Sequence, residues 1–138
     1  MRELADFEGR WRMTRQIDDA LANQLGQFVG EAVFVAQPGG LHYTERGTLT
    51  LNGTGFAASR SYMWREVEAG VEVDFEDGRF FHGFALAQPR QKAHHSCSPD
   101  EYSVTYDFAA WPRWRAIWAV KGPRKDYVSN TQYERIAE

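Results

Sequence analysis

The stretch VEVDFEDGRFFHGFAL, which runs from Val71 to Leu86, predicts a β-hairpin. Its centre is the pair Asp77-Gly78, which alternating apolar and polar residues flank on both sides. Both central positions of a two-residue hairpin turn need a positive φ, and Asp and Gly tolerate this better than most residues. We therefore place the turn at Asp77-Gly78 and derive the pairing of the two strands from it.

A two-residue turn decides which residues face each other across the hairpin. One face carries the pairs Phe75 with Phe80, Val73 with His82, and Val71 with Phe84. The other face carries Glu76 with Arg79, Asp74 with Phe81, and Glu72 with Gly83. The first face is apolar apart from His82 and the second is largely charged. We therefore expect the first face to meet a core that includes His82, and the second to meet water, with Phe81 exposed.

The rest of the chain repeats this alternation, with turn residues at intervals of roughly 8–12 residues. Residues Leu4 to Phe7 favour a short helical turn, and no segment favours a long helix. The predicted strands start at Gly9 and continue over residues 27–36, 41–51, 56–66, the hairpin 71–86, and then 93–97, 102–108, 114–120 and 127–136. The sequence thus predicts an all-β fold: a single antiparallel up-and-down β-barrel domain of about ten strands over residues 1–138.

Size and composition narrow the class of protein. The 138 residues are enough for one domain with its own core, and the net charge of -3 gives no overall attraction to nucleic acid or to an anionic membrane. The only cysteine, Cys97, cannot form an internal disulfide, and the first residues lack the pattern of a secretory signal. No apolar run approaches the roughly 20 residues that cross a bilayer. We expect a cytoplasmic protein with neither membrane nor nucleic acid as a partner, and leave its oligomeric state open.

Two separated pieces of sequence resemble the calycins, the superfamily of lipocalins and fatty-acid-binding proteins. These pieces are Gly9-Arg10-Trp11 on the first strand and Arg135 near the end of the last. The resemblance implies that the Trp and the Arg close one end of a barrel. Independently of the family, an Arg stacked on a Trp would join the first and last strands through a cation–π contact.

More of the chain is similar to an uncharacterised bacterial domain-of-unknown-function family with a lipocalin-like barrel. The segments that carry this resemblance are YTERG (43–47), DGRFFH (77–82), HSCSPDEY (95–102) and GPRKDY (122–127). The resemblance implies the fold and no activity. The chain departs from secreted lipocalins because it lacks a signal peptide and a pair of cysteines, which argues against an extracellular carrier.

The assignment of strand faces places charged side chains inside the barrel, namely Arg15, Glu45 and Arg60. A charge in a low-dielectric interior costs several kcal/mol unless it is paired. Two arginines and one carboxylate leave one positive charge in surplus, which an anionic ligand would balance, and the planar guanidinium suits a carboxylate or phosphate. The alternative is a closed structural network without a ligand, in which Arg60 pairs with Glu45 and Arg15 with a carbonyl or an Asp.

The predicted ligand-binding residues share the inward face of their strands. They are Arg15, Glu45, Arg60, Tyr62, Trp64, His82, His95 and Trp118. Because a pocket is mainly apolar with a few convergent polar groups, we expect aromatic side chains to form its walls. The candidates for these walls are Trp64, Phe75, Phe84 and Trp118.

Glu45 and His82 are the candidate catalytic residues. A histidine inside the barrel could exchange a proton near neutral pH or bind an iron cofactor, but it is more often a core residue that hydrogen-bonds a tyrosine or a carbonyl. His95 and Cys97 share a strand face and could join a metal site, although their spacing is not that of common zinc sites. Cys97 shows no motif of a nucleophile. We predict neither a metal site nor a cofactor.

The segment from Trp111 to Lys125 mixes tryptophans with basic residues, as surfaces that stack single-stranded nucleic acid do. Alternation argues against that function, because Trp114 and Trp118 fall on one face while Arg113 and Arg115 fall on the other. The turn that contains Arg124 could bind a phosphate, but charged residues are common in exposed turns.

From the sequence we therefore predict a barrel whose cavity binds a small, partly hydrophobic anion. Arg15 and Arg60 would be the charge partners, and His82 and Tyr62 would orient the ligand. A second hypothesis is an isomerase, lyase or decarboxylase in the same cavity, with proton transfer by Glu45, His82 or a tyrosine. A third is a non-catalytic interaction module that uses the outer surface of the barrel around Phe81.

Overall fold

A computed structural model describes residues 2–136 as one antiparallel sheet of ten strands after a short 3-10 turn. The elements are the 3-10 turn Leu4–Phe7 and the strands β1 (Gly9–Asp19), β2 (Gln24–Gln37), β3 (Gly40–Leu51), β4 (Thr54–Val67), β5 (Gly70–Phe75), β6 (Phe80–Ala85), β7 (Arg90–Cys97), β8 (Asp100–Asp107), β9 (Trp114–Gly122) and β10 (Lys125–Arg135). The predicted helical turn and the all-β fold are confirmed. None of the helical segments within residues 2–136 is long and apolar enough to cross a membrane.

The sheet wraps into a nearly closed barrel. Its strand order is β6-β5-β4-β3-β2-β1-β10-β9-β8-β7, so strands adjacent in sequence pair with each other, except β6 and β7, and β1 and β10 pair to join the two halves. Over the described part of the chain, no ladder joins the edge strands β6 and β7. The up-and-down connectivity predicted from the turn spacing is thereby confirmed.

The predicted contact between the first and last strands is also confirmed. Trp11 pairs with Arg135 in the β1–β10 ladder, and the guanidinium carbon of Arg135 lies 4.0 Å from the centroid of the Trp11 ring. Arg135 also donates hydrogen bonds to the backbone carbonyls of Asp6 (2.6 Å) and Glu8 (2.7 Å). One side chain therefore joins β1, β10 and the 3-10 turn.

Aromatic side chains fill this end of the barrel, around Phe7 of the 3-10 turn. Phe7 is fully buried, and the indole N–H of Trp11 donates to its carbonyl at 2.8 Å. The rings whose centroids lie within 6.5 Å of the Phe7 ring belong to Trp11, Phe34, Trp64, Phe108, Trp111 and Trp114. We call Phe7 and these six residues the aromatic plug. It closes the barrel by apolar burial.

The central hairpin forms, but part of the predicted register is wrong. Val73 pairs with His82 as predicted, whereas Asp74 pairs with Phe80 and not with Phe81, because a β-bulge interrupts the ladder there. Phe81 is the extra residue, so its side chain turns inward and is 8% exposed, while Phe80 is 53% exposed. The predicted exposure of Phe81 is therefore wrong. A bulge places two residues of one strand opposite one of the other, and turn chemistry alone does not reveal it.

The wall of the barrel is incomplete beside this hairpin. Only the second half of β4, from Tyr62 to Val67, pairs with β5. The first half of β4, residues 54–61, pairs with β3 on one side and has no ladder partner on the other among residues 2–136. Arg60 lies on this unpaired edge. The interior is thus accessible next to the hairpin tip.

Candidate functional site

The barrel holds a cavity of about 810 Å³. Its rim includes Asp19 at the end of β1 and Tyr127 at the start of β10, so it opens at the end opposite the aromatic plug. All eight predicted ligand-binding residues line it, namely Arg15, Glu45, Arg60, Tyr62, Trp64, His82, His95 and Trp118. The structure brings these side chains together, and their part in binding stays a prediction.

A buried ion pair between Arg15 and Glu45 forms the floor of the cavity. Arg15 donates two hydrogen bonds to the two carboxylate oxygens of Glu45, at 2.7 and 3.1 Å, and a third to the Thr131 hydroxyl at 2.7 Å. Burial alone would lower the pKa of Arg15, but the bonds to Glu45 outweigh it and raise that pKa. The structural alternative paired Arg15 with a carbonyl or an Asp, which is wrong, and Arg60 with Glu45, which the structure shows.

Tyrosine hydroxyls complete the surroundings of Glu45. The Tyr43 hydroxyl donates to Glu45 Oε1 at 2.6 Å and lies 2.9 Å from the Tyr133 hydroxyl. Burial alone would raise the pKa of Glu45. The hydrogen bonds from Arg15 and the charge of Arg60 outweigh burial and bring that pKa below its usual 4.5. Glu45 is therefore an ionised carboxylate held by its neighbours.

Arg60 is the second cation at Glu45, and its surroundings differ from those of Arg15. Arg60 Nε lies 3.0 Å from Glu45 Oε2, yet the Arg60 side chain is 48% exposed, compared with 10% for Arg15. It points into the cavity above Tyr62, with its guanidinium carbon 5.6 Å from the ring centroid. Within residues 2–136, Glu45 is its only ion-pair partner. One carboxylate is thus paired with two guanidinium groups, and the cluster of three side chains keeps one net positive charge.

His82 lies deep in the cavity wall. It is 3% exposed, and its Nε2 lies 2.8 Å from the Tyr106 hydroxyl. Burial, with a smaller effect of nearby His95, lowers the pKa of His82 from 6.5 to about 3. The ring is therefore neutral at physiological pH. Its Nδ1 is buried and has no hydrogen-bond partner among the described residues.

Near-parallel aromatic rings make one wall of the cavity. The Phe81 ring stacks on Phe75 (centroids 4.5 Å apart, planes at 22°), on Trp118 (5.0 Å, 10°) and on Tyr62 (5.9 Å, 26°). Tyr62, Phe75 and Trp118 are only partly buried. Phe84, which we expected in the wall, is not among the lining residues; it stacks on Tyr106 at 4.1 Å behind them.

The remaining sequence candidates lie at the rim or outside the barrel. Cys97 is an exposed free cysteine beside His95 at the rim. No group of three or more His, Cys, Asp or Glu residues in the described part of the chain could hold a metal ion. In the segment of residues 111–125, Trp114 is buried and Arg113 is exposed, as the alternation predicts. Lys125 is paired with Asp100 at 3.0 Å.

Four polar and aromatic residues of the site were not among the residues predicted from the sequence, namely Tyr43, Phe81, Thr131 and Tyr133. One signal could have found Thr131 and Tyr133. Extending the Trp11–Arg135 contact as an antiparallel register pairs Met13 with Tyr133 and Arg15 with Thr131, as the structure does. Tyr43 lies two residues before Glu45, hence on the same strand face. For Phe81 no such signal exists, because the bulge alone turns it inward.

Comparisons with known proteins support the fold. The family described as "Family of unknown function (DUF6314)" matches residues 7–135. The S-type phycobiliprotein lyase CPES from Guillardia theta is similar in structure, with a TM-score of 0.68 and 10% sequence identity over 98% of this chain and 91% of that chain. At this identity the likeness establishes the fold alone. It agrees with the calycin-like barrel predicted from the sequence.

Two further results add no functional information. A putative AttH protein from Nitrosomonas europaea has a TM-score of 0.27 and 7% identity over 96% of this chain and 53% of that chain. No curated protein sequence matches the chain.

Proposed function

Since the chain belongs to the DUF6314 family, whose function is unknown, we propose from the geometry of its cavity that the barrel binds a small, partly hydrophobic anion with Arg60 as the charge partner. A ligand of this kind would enter through the open end and reach the guanidinium of Arg60 above the buried pair of Arg15 and Glu45. Arg15 would act indirectly, by holding Glu45 in place.

The incomplete neutralisation of Arg60 is the observation that carries the proposal. Arg15 uses three hydrogen bonds within the protein, and the carboxylate of Glu45 accepts from Arg15 and Tyr43 as well as facing Arg60. Nearly half of the Arg60 side-chain surface remains exposed, and the side chain is among those that line the cavity. A carboxylate, sulfonate or phosphate can bind a guanidinium through two parallel hydrogen bonds, and would balance the remaining charge.

The size and the walls of the cavity support a small-molecule ligand. Its volume of about 810 Å³ lies within the usual range for ligand pockets. Its walls combine aromatic rings with a few converging polar groups, which is the usual composition of such a site. The fold that the chain shares with a phycobiliprotein lyase is compatible with this use.

The properties of the two catalytic candidates favour binding over proton transfer. A general acid or base works best with a pKa near the working pH. The pKa of His82 is lowered to about 3 by burial, and that of Glu45 lies below its usual value because Arg15 and Arg60 outweigh the effect of burial. Neither group would exchange a proton readily at neutral pH without a large change in its surroundings.

Calorimetric titration with 1-anilinonaphthalene-8-sulfonate, an aromatic monoanion, tests the proposal. The wild type should bind it, and Arg60→Met should weaken binding by at least about tenfold, because charge-assisted hydrogen bonds are lost. Arg46→Met removes an exposed arginine on the adjacent strand and should leave binding unchanged. N-phenyl-1-naphthylamine, a neutral analogue, should bind the wild type and Arg60→Met equally. Equal binding of the anion to Arg60→Met and the wild type would refute the proposal.

A further inference from the structure

We infer that the ligand is a planar aromatic or conjugated monocarboxylate, held by its carboxylate at Arg60 and by its flat body against the rings of Tyr62 and Trp118. This inference rests on the proposed function and names the class of ligand. It follows from three observations: the orientation of the aromatic rings, the charge of the cluster at the floor, and the position of Arg60 relative to the rings.

The first observation is that two rings of the wall, those of Tyr62 and Trp118, are near-parallel to the ring of Phe81, with planes at 26° and 10° to it. Phe75 also stacks on Phe81, at 22°, but its plane is tilted by 48° from that of Tyr62. Aromatic rings attract one another best in offset-stacked or edge-to-face arrangements, and a layer of near-parallel rings favours a further flat ring in the same orientation. An alkyl chain would bury apolar area here but would gain nothing from this alignment.

The second observation is that the surplus charge is one. Arg15 and Arg60 contribute two positive charges and Glu45 one negative charge, and these three groups are directly paired. A monoanion would bring their sum to zero. A dianionic phosphate would instead leave a net negative charge in a mostly apolar cavity, where an unbalanced charge is costly.

The third observation is that the cation lies beside the ring wall. Arg60 and Tyr62 are two residues apart on β4, and the guanidinium carbon is 5.6 Å from the Tyr62 ring centroid. A carboxylate attached to a flat ring system could therefore reach Arg60 while the rings lie against the wall. Tyr62 and Tyr127 also line the cavity, and burial raises the pKa of both hydroxyls, so both remain donors.

Three probes of similar apolar size separate the parts of this inference. They are 1-pyrenebutyrate, which is planar and anionic; dodecanoate, which is anionic but not aromatic; and 1-pyrenebutanol, which is planar but neutral. Calorimetric titration of the wild type should give the highest affinity for 1-pyrenebutyrate, by about fivefold over dodecanoate from stacking and by about tenfold over 1-pyrenebutanol from the charge.

Trp118→Leu provides the second part of the test. It removes one stacking ring and should lower the affinity for 1-pyrenebutyrate by about fivefold while changing that for dodecanoate less than twofold. Trp111→Leu is the matched control, because Trp111 is also partly buried but belongs to the aromatic plug and does not line the cavity. It should change neither affinity. Circular dichroism establishes that both variants are folded.

The other outcomes are distinguishable. If dodecanoate binds as tightly as 1-pyrenebutyrate and Trp118→Leu affects both alike, the aromatic class is wrong, although the proposed anion binding stands. If 1-pyrenebutanol binds as tightly as 1-pyrenebutyrate, the charge contributes no affinity, and both the monoanion and the proposed role of Arg60 are wrong. If the folded wild type binds none of the three probes, the proposed function itself fails, and this inference with it.

Discussion

Phe7 at the closed end of the barrel is fully buried among six aromatic rings, whereas Arg60 toward the open end keeps 48% of its side-chain surface exposed. The closed end joins the first and last strands and excludes water, so its residues serve stability. The open end keeps a cavity and an incompletely neutralised charge, neither of which stabilises a fold. The comparison indicates that stability and ligand binding depend on different residues of one barrel.

The largest effect should come from the aromatic plug. Phe7→Ala removes a fully buried ring that contacts six others, and we expect the free energy of unfolding to fall by about 4 kcal/mol in a urea titration. Phe56→Ala on β4 removes a ring that is half exposed, and should cost less than about 1 kcal/mol. Equal losses in the two variants would mean that the plug does not dominate stability.

The buried ion pair should come next. Arg15→Met leaves Glu45 buried with only the partly exposed Arg60 as a counter-charge, and should lower the free energy of unfolding by about 3 kcal/mol. The exposed ion pair of Arg10 and Glu31 is a matched control, because its arginine also lies on β1 and its N–O distance is also 2.7 Å. Arg10→Met should therefore change stability by less than about 1 kcal/mol. A small loss in Arg15→Met would show that Arg15 is not needed to hold Glu45.

His82 predicts a dependence of stability on pH. Its folded pKa of about 3 lies below the ordinary 6.5, so below about pH 6.5 the unfolded chain binds a proton that the folded chain does not. Stability should consequently decrease as the pH falls, by about 2 kcal/mol between pH 7 and pH 5 from this residue alone. His82→Phe should remove that part of the decrease. Identical pH profiles for the two proteins in urea unfolding would contradict the burial of a neutral His82.

The contact between Arg135 and Trp11 should have the smallest effect. Arg135→Leu removes a cation–π contact and two hydrogen bonds to carbonyls at an exposed position, and should lower the free energy of unfolding by about 1 kcal/mol. Thermal unfolding measured by circular dichroism is sensitive enough to detect this change. A change as large as that of Phe7→Ala would assign the closure of the barrel to Arg135 and not to the buried rings.

Local sequence patterns predicted most of the fold. Alternation and turn residues gave ten strands and their order, and the first Trp and last Arg gave the closure. They did not give the bulge in the central hairpin, because a bulge depends on how the two strands twist against the barrel as well as on the turn. The predicted exposure of Phe81 was wrong for this reason.

The charged residues that line the cavity could be placed inside the barrel from the sequence, but their pairing could not. Arg15 and Glu45 lie on strands separated by β2, so their contact depends on the register of two ladders and on the curvature of the barrel. Whether Arg60 is buried or accessible depends on how far β5 extends along β4, which no local pattern indicates. The sequence could therefore place three charges inside the barrel without showing which one remains available to a ligand.

The most direct measurement determines stability and binding on one preparation of Arg60→Met. Urea unfolding gives its stability, and titration with 1-anilinonaphthalene-8-sulfonate gives its affinity for an anion. We predict a free energy of unfolding within about 1 kcal/mol of the wild type and an affinity reduced by at least about tenfold. A strongly destabilised protein would show that Arg60 belongs to the structural network, and a stable protein that binds the anion as the wild type does would show that Arg60 is not part of a ligand site.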